Sequence, residues 1–106
     1  MEDYRGQVLE LARLLDYQSG SVVSRELLSL KTGTLTVFAF DKGQGLSEHT
    51  APFDATVLGL EGEAEITISG AAQRLGKGEM LIMPAHQPHA LKACEPFKML
   101  LIMIRA

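Results

Sequence analysis

Three histidines, His49, His86 and His89, are the residues of this 106-residue chain best suited to chemistry. A neutral imidazole can ligate a transition metal or take up a proton near neutral pH. All three lie between Gly43 and His89, a stretch that also holds seven of the ten glycines. Side chains on a strand alternate faces, so His49, Ala51, Phe53 and Ala55 would share one side of an unbroken strand. Glu48, next to His49, would point the other way. His86 lies three residues before His89, which on a plain strand would set the two on opposite sides. Pro84 and Pro88 bracket His86 in a stiff loop and break that rule. Two readings stay open for His86, an exposed loop residue or a third ligand beside His49 and His89.

Other reactive groups are sparse. Cys94 is the single cysteine, which excludes an internal disulfide, and no histidine is near it in sequence. A small apolar filler is its more common role. Met80, Met83, Met99 and Met103 lie on expected strands. Thioethers beside imidazole would suit Cu(I), although gap-filling core is the more frequent use of methionine. His49 could serve as a general base if its pocket keeps it neutral. A Gly-x-Ser-x-Gly elbow and a phosphate-cradling glycine loop are both missing; Gly43-Gln44-Gly45 lacks the later Gly and the Lys.

Two stretches in the His-bearing region resemble the paired motifs of the cupin family. The first family motif reads G-x5-H-x-H-x3,4-E-x6-G, and Gly43, His49 and Gly62 fall in register with it. The second reads G-x5-P-x-G-x2-H-x3-N, and Gly78, Pro84 and His89 fall in register. The resemblance implies a double-stranded β-helix, usually dimeric. It also implies a divalent metal held by two His and one Glu of the first motif and one His of the second. This chain departs from that pattern. Ala51 stands where the second His belongs and Ala55 at the Glu position, with Asp54 one residue early. His86 replaces the Gly of the second motif and Ala93 its Asn. Two of the four implied ligands survive, His49 and His89.

The elements that must position these residues read as strands. Val22 to Leu30 is a candidate strand, then a Lys31-Thr32-Gly33-Thr34 turn. Leu35 to Phe40 follows, rich in β-branched and aromatic residues. It is apolar on both faces, as in a sheet covered on both sides. Glu63 to Ile68 alternates, with Ala64, Ile66 and Ile68 facing in. Gln73 to Leu75 starts the return strand, Met80 to Met83 is a short, fully apolar strand ended by Pro84, and His89 to Ala93 resumes the strand. Phe97 to Ile104 is apolar apart from Lys98 and should be central or pair across a subunit boundary. Nine or ten short strands with frequent turns mark a sandwich or barrel. Ahead of them, Asp3 to Tyr17 carries Val8, Leu11, Ala12 and Leu15 at helical spacing, with Asp3 as a cap.

Composition sets the outer bounds. A net charge of −3 with ten scattered basic residues gives no support for nucleic-acid binding. No apolar run reaches the length of a membrane span, and no signal-type segment follows Met1, so the expected location is cytoplasmic. The expectation is an all-β chain: a cupin-type jelly-roll barrel over residues 21–106, preceded by a short N-terminal α-helix within 1–20. The expected pocket is lined by His49, Ala51, Phe53, Ala55, Met83 and His89. Its metal ligands would be His49 and His89, with His86 the candidate third. The expected function is binding of a small molecule in a homodimer, with a weakly held divalent ion (Zn, Ni, Mn or Fe) at the reduced site. The alternatives are a metal-dependent enzyme of dioxygenase or isomerase type, and a dimeric sensor or interaction protein.

Overall fold

The computed structural model describes residues 2–105. Among the described residues, nine antiparallel strands form two facing sheets, the jelly-roll architecture that the cupin resemblance implies. The first sheet runs in the order β1 (Val22–Leu30), β2 (Gly33–Phe40), β9 (Phe97–Ile104), β4 (Asp54–Glu61), β7 (Met80–Met83). The second runs β3 (Gly45–His49), β8 (His89–Ala93), β5 (Glu63–Ile68), β6 (Ala71–Gly76). β9, apolar on both faces, is the central strand of the larger sheet, and β1 is at its edge.

Between the sheets lies the main core. Phe40, Phe97, Ile66, Met99 and Val57 are fully buried. Phe40 stacks against Phe38 with ring centroids 5.6 Å apart and tilts against Phe97 at 6.1 Å. A cavity lies between the sheets, lined by Ala, Val, Leu and Met side chains with His49 and His89.

The outer face of the larger sheet carries a second apolar layer. Val37, Ala39 and Leu100 project outward and are covered by Leu11, Leu14, Leu15 and Tyr17 of the N-terminal segment. That segment is the cover implied by a β2 strand apolar on both faces. It is not, however, the α-helix expected over Asp3 to Tyr17: only Leu11–Arg13 form a 3-10 turn. Gly6 takes a positive φ of 78°, and Asp3 accepts from the Arg5 backbone N–H instead of capping a helix. A helix this short gains little in water on its own. Here the segment gains more by lying along the sheet. Lys98, buried in β9, donates from Nζ to the Ala12 carbonyl at 2.7 Å and sits 4.8 Å from the centre of the Tyr17 ring. The Tyr17 hydroxyl donates to Glu61 at 2.5 Å. Val8, part of the supposed helical stripe, is 99% exposed. Among the described residues, no helix is long and apolar enough to cross a membrane.

Candidate functional site

His49 closes β3 and His89 opens β8, and the antiparallel register sets them opposite each other. The register slips between Leu46 and His49: three steps along β3 match the two from Leu91 to His89. Such a bulge changes which face the following residue occupies. It brings Leu46 and His49, which strict alternation would separate, to line one cavity with Leu91 and His89. From the larger sheet, Ala55 pairs with Met83 on one side and Met103 on the other. All three line the same cavity, with Ala51, Val57 and Met99.

The cavity measures about 40 Å³. One water needs roughly 10–15 Å³ on this scale, so there is room for about three water-sized atoms. His89 is buried and His49 exposed, so the pair marks the mouth, while Ala55 and Met99 are buried deeper.

The two imidazoles meet edge to face, with ring centroids 4.3 Å apart and planes at 71°. His49 Nε2 and His89 Nε2 are 3.1 Å apart. His49 Nδ1 lies 2.8 Å from the Ser47 carbonyl oxygen, and His89 Nδ1 lies 3.2 Å from that of Gln87. A carbonyl only accepts, so each Nδ1 is assigned the proton and donates it. Both Nε2 lone pairs then face each other across 3.1 Å, a contact that is repulsive unless a proton or an ion sits between them. Nitrogens held 2.0–2.1 Å from a common ion would be about 3.0–3.4 Å apart, so the pair has the spacing of two adjacent ligands. Fixing Nδ1–H on a carbonyl is also how proteins orient metal-binding histidines.

Burial pushes the His89 pKa below its ordinary value of 6.5; the neighbouring His49 pushes it further the same way, and the Gln87 carbonyl partly opposes. The unfolded chain takes up this proton near pH 6.5 while the native protein resists it. Stability from this group is therefore present above 6.5 and is lost as pH falls through the lower native pKa. Urea unfolding at pH 8 and pH 5 should show a smaller loss in His89→Gln than in wild type. An equal loss in both would refute the assignment.

Two residues of the expected site lie elsewhere. Phe53 does not line the cavity. The chain leaves β3 after His49 and enters β4, in the other sheet, at Asp54. This break ends the alternation, and the Phe53 ring lies 5.8 Å from the Arg105 guanidinium. His86 does not join the pair. It is exposed in the Pro84–Pro88 loop at φ 66°, and its backbone N–H donates to the Ala51 carbonyl at 2.7 Å. Asp54, one residue from the family's Glu position, is exposed and accepts the Ala85 N–H at 2.8 Å, so it braces the same loop. Of the four methionines expected on strands that line the barrel, Met83, Met99 and Met103 line the cavity, and Met80 does not. Among the described residues, no three His, Cys, Asp or Glu side chains converge as a metal cluster.

Two antiparallel sheets closed into a jelly roll, with imidazoles from β3 and β8 at the mouth of the cavity, define a double-stranded β-helix. The chain belongs to the cupin family: the Cupin domain matches residues 36–104. It is similar to a conserved protein of unknown function from Streptococcus pyogenes, at 40% identity and TM-score 0.90, covering 95% of this chain and 89% of that one. A cupin superfamily protein from Desulfitobacterium hafniense is 31% identical at TM-score 0.90, covering 96% and 94%. A Cupin 2 conserved barrel domain protein from Leptotrichia buccalis is 39% identical at TM-score 0.88, covering 91% of this chain and 47% of that one. No curated protein matches the chain.

Proposed function

We propose that this chain is a small-molecule-binding cupin whose barrel cavity takes a ligand of a few heavy atoms, with the His49/His89 pair as its polar anchor. The observation that carries this reading is the composition of the cavity: two imidazoles at the mouth, and Ala, Val, Leu and Met elsewhere. An apolar wall with few polar groups is the usual chemistry of a binding site. The small volume limits the ligand unless the flexible methionines repack. A divalent ion would be held weakly, by two neutral nitrogens and without a carboxylate. The dioxygenase or isomerase alternative has less support, because the cavity lining offers no further acid or base to move a proton.

Short-chain alcohols test the reading, since their hydroxyl can donate to an Nε2 lone pair while the chain enters the apolar part. Propanol should shift the methyl resonances of Ala51, Ala55, Met83 and Met103 saturably in NMR titrations. Ala51→Leu, which fills the cavity from its half-buried rim, should abolish the shifts, and His86→Ala should leave them unchanged. A wild type without saturable shifts would sink the proposal. Strong sensitivity to His86→Ala would return that residue to the site.

We also propose that a second copy of the chain covers the rest of the larger sheet. Leu30, Met80, Ile82 and Ile104 are 51%, 59%, 50% and 58% exposed, on the side of that sheet beyond the N-terminal cover. Apolar side chains gathered on one sheet face favour burial in an interface. Light scattering at micromolar concentration should give the mass of a dimer, and Ile82→Lys should shift it to monomer.

A further inference from the structure

We propose that the cavity selects a soft monovalent cation, Cu(I) by its chemistry, over the divalent ions. The ion would be held by Nε2 of His49 and His89 and by the thioethers of Met83 and Met103. This inference rests on the reading that the cavity admits a ligand at the imidazole pair. Three observations carry it. The Nε2 atoms are 3.1 Å apart with each Nδ1 against a backbone carbonyl, so both can bind an ion without releasing a proton. Ala55 stands in one cross-strand row between Met83 and Met103, so the position that would otherwise offer a carboxylate is flanked by sulfur on both sides. Among the described residues, no Asp or Glu lines the cavity.

The charge argument points the same way as the donor set. Every donor here is neutral, so the ion's charge stays uncompensated in an apolar wall. The cost of taking an ion out of water grows with the square of its charge, so a divalent ion costs about four times as much as a monovalent ion of the same size. Hard and borderline divalent ions offset that cost with carboxylates or several waters, and the cavity has neither the acids nor much room. A soft ion instead gains from thioether and imidazole, the ligands that suit Cu(I).

The test uses the full chain carrying Cys94→Ser, because that thiol lies outside the cavity lining and would itself bind Cu(I). Cu(I) is supplied without oxygen as its acetonitrile complex and measured by competition with bicinchoninate, with Zn²⁺ titrated in parallel. The expected result is one Cu(I) per chain, bound about a hundredfold or more tighter than Zn²⁺. Met83→Leu with Met103→Leu keeps the volume and removes only sulfur. It should weaken Cu(I) by roughly tenfold or more and change Zn²⁺ affinity far less, because the harder ion gains little from thioether. Ag(I), which has the same softness and no accessible redox change, should follow Cu(I). Equal affinity for Cu(I) and Zn²⁺, or no effect of the double methionine change, overturns the inference. Propanol shifts without Cu(I) binding overturn this inference alone. Loss of both in wild type overturns the reading beneath it.

Discussion

The double variant Ala51→His, Ala55→Glu is expected to melt about 5–15 °C below wild type without metal, and on the order of 10 °C above wild type with saturating Ni²⁺ or Zn²⁺. Both alanines line the cavity beside His49 and His89, so the new side chains would complete a four-ligand set. The apo protein should lose about 1–3 kcal/mol through overpacking. Met83 and Met103, which flank Ala55, are the flexible neighbours that must give way. Phe53 does not compete for the space, because its ring lies against Arg105. An ion bound to the native state alone adds RT ln(1 + [L]/Kd), about 4.1 kcal/mol at a thousandfold excess over Kd. That exceeds the packing loss. The new carboxylate also supplies the missing negative charge, so the preference should move from soft monovalent to divalent ions. Melting curves of both proteins with and without the ions decide the matter. A wild type that rises as far as the variant would mean that the present donor set already binds divalent ions fully.

Gly62→Ala is the second large effect, expected to cost about 2–5 kcal/mol. Gly62 joins β4 to β5 at φ 76°, and a Cβ there would collide with the carbonyl oxygen of Pro96. Left-handed backbone costs an L-residue about 1–2 kcal/mol, and forcing apart packed backbone adds about 1–3. Gly43 is the control. Its φ is 83°, but a Cβ there meets nothing within 4 Å. Gly43→Ala should therefore cost only the conformational part, about 1–2 kcal/mol. Urea denaturation of the two variants separates the terms. Equal losses would show that the Pro96 contact has no weight. Against the typical total of about 5–15 kcal/mol, the larger loss leaves a marginal barrel.

These glycines show why so much of the fold was legible. Gly43 and Gly62 mark turns that need positive φ, and such needs are written locally in the chain. The same holds for the strands. Val22–Leu30, Glu63–Ile68, Met80–Met83, His89–Ala93 and Phe97–Ile104 have the bounds that alternating or continuous apolar runs and turn residues indicate. A buried face every second residue is a property of the segment itself.

The N-terminal segment was not legible in the same way. Leu11 and Leu15 do face the protein, as their helical spacing suggests, but they do so from a largely extended chain. What decides its conformation is the outer face of the larger sheet and the buried Lys98, which become neighbours only after folding.

The site divides along the same line. Sequence alone determined that imidazoles at 49 and 89 would sit with small residues at 51 and 55, because motif spacing records which positions face the barrel interior. Only tertiary structure decided the rest. The slip between Leu46 and His49 brings both to the cavity. The break before Asp54 turns Phe53 away, and the left-handed backbone at His86 keeps that ring in the loop. The row Met103–Ala55–Met83 exists only because β9, β4 and β7 are neighbours in one sheet. Alternation propagates along a single strand, whereas bulges, breaks and cross-strand rows depend on which strands pair, and that is settled by the packing of the whole barrel.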